Sequence, residues 1–201
     1  HLRTRRQRQM CIRDREKEVS KFINYKMIIG FGGGQALDIA KYFSWKCNLK
    51  LFQFPTSISV DAVFGHRSGI RRDGNVTYIG WAIPECVFLD YEIIQSAPKI
   101  YNYSGIGDVL CFYTGVLDWQ YANKQNKCEE KWSYKSELAN KSLEYVEDLL
   151  LNTENIKEMN EEGINAIIRA HQWGGNSFFS SGWNPRHIDC LLYTSDAADE
   201  S

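Results

Sequence analysis

The chain has 201 residues, with 24 Lys and Arg against 25 Asp and Glu, and 43% of its residues are hydrophobic. This charge balance excludes the strongly basic surface that binds nucleic acid or an anionic membrane, and the hydrophobic content is typical of a globular protein. No apolar run approaches the ~20 residues that a membrane-spanning helix needs.

The two ends of the chain can be encoded by opposite strands of one short nucleotide sequence. Gln9–Asp14 can be written CAG ATG TGT ATA AGA GAC, and Leu191–Ser195 can be written CTC TTA TAC ACA TCT, the reverse complement of a stretch within the first string. This pairing indicates a translated sequencing adapter, so we assign residues 1–15 and 190–201 to adapter-derived tails and exclude them from the fold. The alternative is a natural Arg-rich arm and a natural acidic tail.

Between the tails, the first part of the chain alternates between helix and strand. A helix end, a strand, a glycine turn, a helix and a second strand follow one another: Glu16–Tyr25, Lys26–Phe31, Gly32–Gly34, Gln35–Trp45 and Leu49–Phe54. Short apolar runs and helical spacing predict a right-handed βαβ unit with parallel strands. Val76–Trp81 and Cys86–Leu89 are two further predicted strands.

After Pro98 the strand signals end and the chain is predicted to be helical. The predicted helices are Ile106–Ala122, Trp132–Leu151, a short helix capped by Thr153, and Glu162–His171. We therefore place a domain boundary near Pro98. Residues 16–98 form part of an α/β domain with an incomplete parallel sheet, and residues 99–189 form part of a truncated all-α domain.

Four cysteines lie outside the tails, and they form no CxxC pair and no metal-finger spacing: Cys47, Cys86, Cys111 and Cys128. We expect reduced thiols and a cytoplasmic protein.

The glycine turn is the first candidate site. Gly32, Gly33 and Gly34 follow a strand and open a helix. Residues without Cβ let backbone N–H groups approach a diphosphate, and a helix N-terminus favours negative charge. The pattern is not GxGxxG, and a purely structural turn is the alternative.

Polar residues follow the second strand and form the second candidate site. In Pro55–Asp61, the hydroxyls of Thr56 and Ser59 could bind a cofactor and Asp61 could hold a substrate hydroxyl, because ligands bind beyond the carboxyl ends of parallel strands. A capped loop is the alternative, since Ser, Thr and Asp favour turns.

A small basic cluster comes next. His66, Arg67, Arg71 and Arg72 form either a solvated loop or a site for an anionic group such as a substrate phosphate.

Asp108 is the third candidate, in Gly105–Asp108 at the predicted start of a helix. It is either an N-cap or first-turn acid favoured by the helix dipole, or an oxygen ligand of a divalent metal. His171, at a predicted helix end, and His187 are too far apart for one helical face, and each is by default a surface or capping residue.

Taken together, these segments resemble the superfamily that unites iron-containing alcohol dehydrogenases, glycerol and glycerol-1-phosphate dehydrogenases, and 3-dehydroquinate synthase. The matching stretches are Gly32–Lys41, Pro55–Asp61, and Asp90–Pro98 running through Ser104–Asp108 to Asp118–Trp119. Their order and spacing carry the resemblance, which covers about Met27 to Ala122.

The resemblance implies a dehydroquinate synthase-like fold, with the active site in the cleft between the α/β and helical domains. It implies that NAD or NADP binds through its diphosphate to Gly32, Gly33, Gly34, Gln35 and Ala36, with the nicotinamide near Thr56 and Ser59. Asp61 and Arg67 would contact substrate. Asp108 would be the catalytic residue and first ligand of one divalent Zn, Fe or Ni ion, completed by two His from later helices.

Departures from the family pattern leave two questions open. Gly65 and Arg67 lie in a loop that is similar to that of dehydroquinate synthase, whereas Asp108 in place of Glu and the Asp118–Trp119 pair favour the glycerol-1-phosphate branch. His187 falls near the family's first ligand histidine but lacks the usual Gly-x-Glu-His context. Either His187 or a histidine past Asp189 supplies that ligand.

The expected function is a metal-dependent, NAD(P)-linked oxidoreductase of a polyol or polyol phosphate, with sn-glycerol-1-phosphate and dihydroxyacetone phosphate as the expected pair and a place in phospholipid metabolism. The alternatives are a sugar-phosphate cyclase of the dehydroquinate synthase type and a nucleotide-binding relative without catalysis. We expect this fragment to be inactive by itself, and the full-length protein to bind a small-molecule substrate, to bind neither nucleic acid nor membrane, and to form a homo-oligomer.

Overall fold

The computed structural model describes residues 18–22, 24–72 and 75–182, which fall into two compact units. Of these described residues, the first unit combines those up to Thr56 with those in Gly65–Asp90, and the second combines Ser57–Phe64 with those from Tyr91 to Gly182. The division therefore differs from the predicted boundary near Pro98. His187 and both predicted adapter tails lie outside the described residues.

The first unit contains strands β1 (Met27–Gly32), β2 (Lys50–Pro55), β3 (Ser68–Arg72), β4 (Asn75–Ile79) and β5 (Cys86–Val87), with helix α1 (Gly34–Cys47) between β1 and β2. The parallel sheet has the order β1-β2-β5, and Met27 pairs with Lys50 at the start of the β1–β2 register. This arrangement confirms the predicted βαβ unit.

Helix α1 covers one face of the sheet. Ala40 packs with Leu51 and Ala82 in the core of this unit. A Cβ at Gly30 would lie 2.8 Å from the Cβ of Ala40, so glycine in β1 permits the close approach of helix and strand. The opposite face of β1 exposes Met27, Ile29 and Phe31.

The predicted strand Val76–Trp81 forms, but it pairs differently from the strands around it. It is β4, which pairs antiparallel with β3, with Ser68 opposite Ile79. The composition of the β3 segment indicated a basic cluster, and the hairpin was not predicted. Strand β3 is mostly polar, so its composition does not indicate a strand. Its backbone hydrogen bonds to β4 stabilise it in the hairpin.

The second unit is helical and contains α2 (Tyr91–Ser96), α3 (Lys99–Lys124), α4 (Ser136–Leu151), α5 (Thr153–Glu158) and α6 (Glu161–Ser180), with short 3₁₀ turns at Asp61–Val63 and Glu130–Trp132. Its core includes a cluster formed by Val116, Trp119 and Ala139, from α3 and α4. Within the described residues, no helix is both long and apolar enough to cross a membrane.

Four predicted helix boundaries in this unit are wrong. Helix α4 begins at Ser136 rather than Trp132. Helix α3 begins at Lys99 rather than Ile106, and α6 runs on to Ser180 rather than ending at His171. Thr153 is the first residue of α5, whose N-cap position is Asn152, and no side chain caps it. Asn160 caps α6 instead, because its Oδ1 accepts a hydrogen bond from the Gly163 amide at 3.0 Å.

Candidate active site

One face of α3 holds the loop formed by residues 57–64. Asn102, Gly105 and Asp108 are three residues apart and share this face. Asn102 is fully buried; its Oδ1 accepts a hydrogen bond from the Ile58 amide at 3.0 Å, and its Nδ2 donates to the Ile94 carbonyl at 2.9 Å. At Gly105, any Cβ would collide with the Ile58 carbonyl oxygen. The loop therefore lies directly on the helix backbone.

Asp108 lies at the end of this face, in the third turn of α3. The interpretation of Asp108 as an N-cap or first-turn acid is therefore wrong, because the helix begins nine residues earlier. The Asp61 amide donates a hydrogen bond to Asp108 Oδ2 at 2.8 Å, and the side chain is 23% exposed. Within the described part of the chain, Oδ1 accepts no hydrogen bond.

Burial dominates the electrostatics of Asp108. Desolvation raises the pKa of its carboxyl from 3.8 to about 6, and the hydrogen bond from the Asp61 amide opposes that rise. Among the described residues, His171 is the sole basic side chain within ion-pair distance, with Nε2 3.7 Å from Asp108 Oδ2. Desolvation lowers the pKa of His171, against the opposing effects of the Asp61 charge and the hydrogen bond to Gly105, so burial favours the neutral imidazole beside the carboxylate. A bound cation would stabilise the negative charge of that carboxylate.

The structure does not place His171 in the expected surface or capping role. It lies in the interior of α6, is fully buried, and places Nε2 3.0 Å from the Gly105 carbonyl oxygen. The pattern Ile164, Ile167, Ile168, His171 has the i, i+3, i+4, i+7 spacing of a buried helix face. That spacing was the signal in the sequence that could have predicted a buried histidine.

The donor set fits one ligand of a divalent metal rather than a complete site. A desolvated carboxylate with an available oxygen suits Zn²⁺, Fe²⁺ or another divalent ion. Within residues 18–22, 24–72 and 75–182, however, no group of three or more His, Cys, Asp or Glu side chains is arranged to hold a metal. His187, the second predicted ligand, lies outside these residues.

The glycine turn lies in the first unit and has the geometry of an anion site. Gly32 has φ of 142°, which favours glycine, and Gly33 is the N-cap of α1 in extended conformation. No side chain caps this N-terminus, and no acidic residue lies in the first turn. The N-terminus of α1, which begins at Gly34 and continues through Gln35 and Ala36, therefore suits a phosphate group.

The predicted polar loop Pro55–Asp61 is shared between the two units. Thr56 belongs to the first unit, and its amide donates to the Gly32 carbonyl at 3.0 Å, which joins the ends of β1 and β2. Ser59 and Asp61 belong to the second unit. The Ser59 carbonyl accepts a hydrogen bond from Ser104 Oγ at 3.3 Å, and Asp61 adjoins Asp108 as described.

A buried lysine organises the segment around Arg67. Lys41 is 1% exposed, and its ammonium group donates to the carbonyl oxygens of Gly65 at 3.0 Å and Arg67 at 2.8 Å and pairs with Asp38 at 2.7 Å. Burial, and secondarily the charge of Lys41, lowers the pKa of His66. The segment 65–67 is thus anchored to α1, a contact that local sequence patterns did not predict.

Comparison with known proteins identifies relatives for most of the chain. Residues 2–98 match the family model of iron-containing alcohol dehydrogenases. These bounds include residues 2–15, whose assignment to an adapter stays a prediction. The chain is 34% identical over 148 residues to a glycerol-1-phosphate dehydrogenase [NAD(P)+] of Pyrococcus abyssi, covering 73% of this chain and 41% of the relative. It is 32% identical over 154 residues to that of Thermococcus sibiricus, covering 76% and 43%.

Solved structures show the same fold. Glycerol dehydrogenase from Schizosaccharomyces pombe has a TM-score of 0.66 at 22% identity, covering 84% of this chain and 45% of that one. A probable glycerol dehydrogenase from Sinorhizobium meliloti has a TM-score of 0.68 at 18% identity, covering 85% and 50%. The predicted fold class is confirmed, and the chain spans less than half the length of the curated relatives named above.

Proposed function

We propose that this chain belongs to the iron-containing alcohol dehydrogenase family, whose model matches residues 2–98, and that it is part of a metal-dependent, NAD(P)-linked dehydrogenase of a polyol phosphate, as its archaeal relatives suggest. The two archaeal relatives are named glycerol-1-phosphate dehydrogenases, so sn-glycerol-1-phosphate and dihydroxyacetone phosphate are the proposed substrate pair. We further propose that the enzyme binds a Zn, Fe or Ni ion, uses NAD or NADP, acts in phospholipid metabolism, is located in the cytoplasm and forms a homo-oligomer.

The observation that carries this proposal is the environment of Asp108. Its carboxylate is desolvated, has one oxygen fixed by the Asp61 amide, and has no Lys or Arg partner among the described residues. Burying such a charge is costly unless a cation accompanies it. Asp108 would hold the metal together with His187 or a histidine past Asp189, and when bound the metal would supply Lewis acidity toward a hydroxyl or carbonyl oxygen.

The other proposed residues orient substrate and cofactor. The N-terminus of α1 at Gly33 and Gly34 binds the cofactor diphosphate through backbone N–H groups, and Gly32 gives the backbone the φ angle that this turn requires. The side chain of Asp61 contacts a substrate hydroxyl, while its backbone amide holds Asp108. Arg67, whose backbone is fixed by Lys41, binds the substrate phosphate.

The test uses the full-length gene product that contains residues 16–189, as wild type and as Asp108→Asn, with Asp148→Asn on exposed α4 surface as a matched control. Metal content and the change in nicotinamide absorbance with sn-glycerol-1-phosphate, glycerol and dihydroxyacetone phosphate are measured. We expect Asp108→Asn to lose metal and turnover and the control to keep both.

Three results would contradict parts of the proposal. Unchanged metal content and turnover in Asp108→Asn would remove Asp108 from the site. Consumption of a sugar phosphate without net reduction of the nicotinamide would instead indicate a cyclase. Nucleotide binding without bound metal or turnover in the wild type would indicate a relative that has no catalytic role.

A further inference from the structure

His171 makes a directional contact with the helix that carries Asp108. Its Nε2 lies 3.0 Å from the carbonyl oxygen of Gly105, one turn before Asp108. A carbonyl oxygen can only accept a hydrogen bond, so Nε2 carries the proton and donates it. The same Nε2 lies 3.7 Å from Asp108 Oδ2, which is too long for a hydrogen bond but close enough for an electrostatic contact.

The other ring nitrogen shows that packing alone does not explain a histidine at this position. Nδ1 of His171 is buried and has no hydrogen-bond partner among the described residues. A buried polar atom without a partner is destabilising. An apolar residue packed against Phe112, whose ring lies edge-on to the imidazole, would avoid that cost. The histidine therefore fits a role that an apolar side chain cannot take.

We propose that His171 is a positioning residue for Asp108. The inference rests on the proposed function, in which Asp108 is a metal ligand. The imidazole spans the turn between Gly105 and Asp108, and its Nε2 lies beside the same oxygen, Oδ2, that accepts the Asp61 amide. Both contacts restrict rotation of the carboxylate, so that Oδ1 stays available for the metal. Residues that hold a metal ligand in this way commonly contribute about 10–100-fold to metal affinity.

A direct ligand role is the competing interpretation, because both side chains could reach one ion after a small movement. The hydrogen bond to Gly105 argues against it. A ligating nitrogen must present a lone pair, whereas Nε2 presents a proton to the carbonyl oxygen.

The experiment measures Co²⁺ affinity by chelator competition in the full-length protein. His171→Leu replaces the imidazole and its N–H donor by an apolar side chain, and His171→Gln offers an amide N–H in place of Nε2–H. Ile164→Ala, also fully buried on α6, is the control for general destabilisation. Urea unfolding and the visible absorption bands of bound Co²⁺ are recorded for each variant.

We expect His171→Leu to bind Co²⁺ about 10–100-fold more weakly, with the absorption bands at their wild-type positions. His171→Gln should recover most of the affinity, and Ile164→Ala should lose stability without losing affinity. Wild-type Co²⁺ affinity in His171→Leu, or an equal loss of affinity in Ile164→Ala, would overturn the positioning role of His171 and leave the proposed function standing. A band shift that indicates one nitrogen ligand fewer would make His171 a ligand and also overturn its positioning role. Failure of the wild type to bind metal would overturn the proposed function as well.

Discussion

Replacement of Gly105 by alanine tests the close packing of the 57–64 loop on α3. The added Cβ would collide with the Ile58 carbonyl oxygen, a backbone atom that cannot move by changing a rotamer. The loop would therefore have to lift from the helix. Two hydrogen bonds join it to the same face: Ile58 N to Asn102 Oδ1 at 3.0 Å and Asp61 N to Asp108 Oδ2 at 2.8 Å.

The expected magnitude follows from these two bonds. The first, between neutral groups, is worth about 1 kcal/mol, and the second, to a carboxylate, about 1.5–3 kcal/mol. Alanine is favoured over glycine in a helix interior by about 1 kcal/mol. The net expectation is a loss of about 1.5–3 kcal/mol in the free energy of unfolding.

Gly107 provides the matched control, because it lies two residues away on the same helix and is exposed, and a Cβ added there would meet no other atom within 4 Å. Gly107→Ala should stabilise the protein by up to about 1 kcal/mol. The same substitution should therefore raise the free energy of unfolding at position 107 and lower it at position 105. Urea unfolding of the full-length metal-free protein measures both. Equal effects of the two substitutions, or a Gly105→Ala protein as stable as wild type, would refute the packing argument.

Two further predictions concern buried charges. In metal-free protein, Asp108→Asn should stabilise the fold at pH 7–8 by up to about 3 kcal/mol, at about 1.4 kcal/mol per pKa unit between 3.8 and about 6. Because the pKa of Asp108 is raised by folding, the folded state binds a proton between about pH 6 and about pH 4 that the unfolded state does not. Wild-type stability should therefore rise as the pH falls through this range, and the advantage of the variant should vanish near pH 4. A difference in urea midpoints that does not change with pH would contradict this. Lys41→Met removes one partner of Asp38 and the donor to two carbonyl oxygens and should cost about 3–5 kcal/mol. Exposed Lys46→Met on the same helix should stay within about 0.5 kcal/mol of wild type by urea unfolding; equal midpoints for the two lysine variants would exclude the proposed anchoring role.

Local patterns determined the strand–turn–helix–strand order at the start of the first unit. A short apolar run before Gly32–Gly34 and apolar residues at helical spacing after it predicted the strand, turn and helix that the structure shows. These signals are carried by residues adjacent in the chain, so no distant partner is needed to recognise them. The ordered motifs from Gly32 to Trp119 likewise indicated the family before the fold was known.

The tertiary structure decided the start of α3 and the surroundings of Asp108. Asn102 and Gly105 have low helix propensity, so the sequence predicted a helix only from Ile106. In the fold, Asn102 binds the Ile58 amide and Gly105 admits the Ile58 carbonyl, which favours these residues inside the helix. Tertiary contacts thus outweigh local propensity.

The roles of His171 and Lys41 depend on partners far away in the chain. His171 contacts a carbonyl 66 residues before it, and Lys41 binds carbonyls 24 and 26 residues after it. The sequence by itself determined which residues have the chemistry to bind a cofactor or a metal. Only the tertiary structure placed a neutral imidazole beside a desolvated carboxylate, because burial and hydrogen bonding at a site depend on segments that meet only when the chain folds.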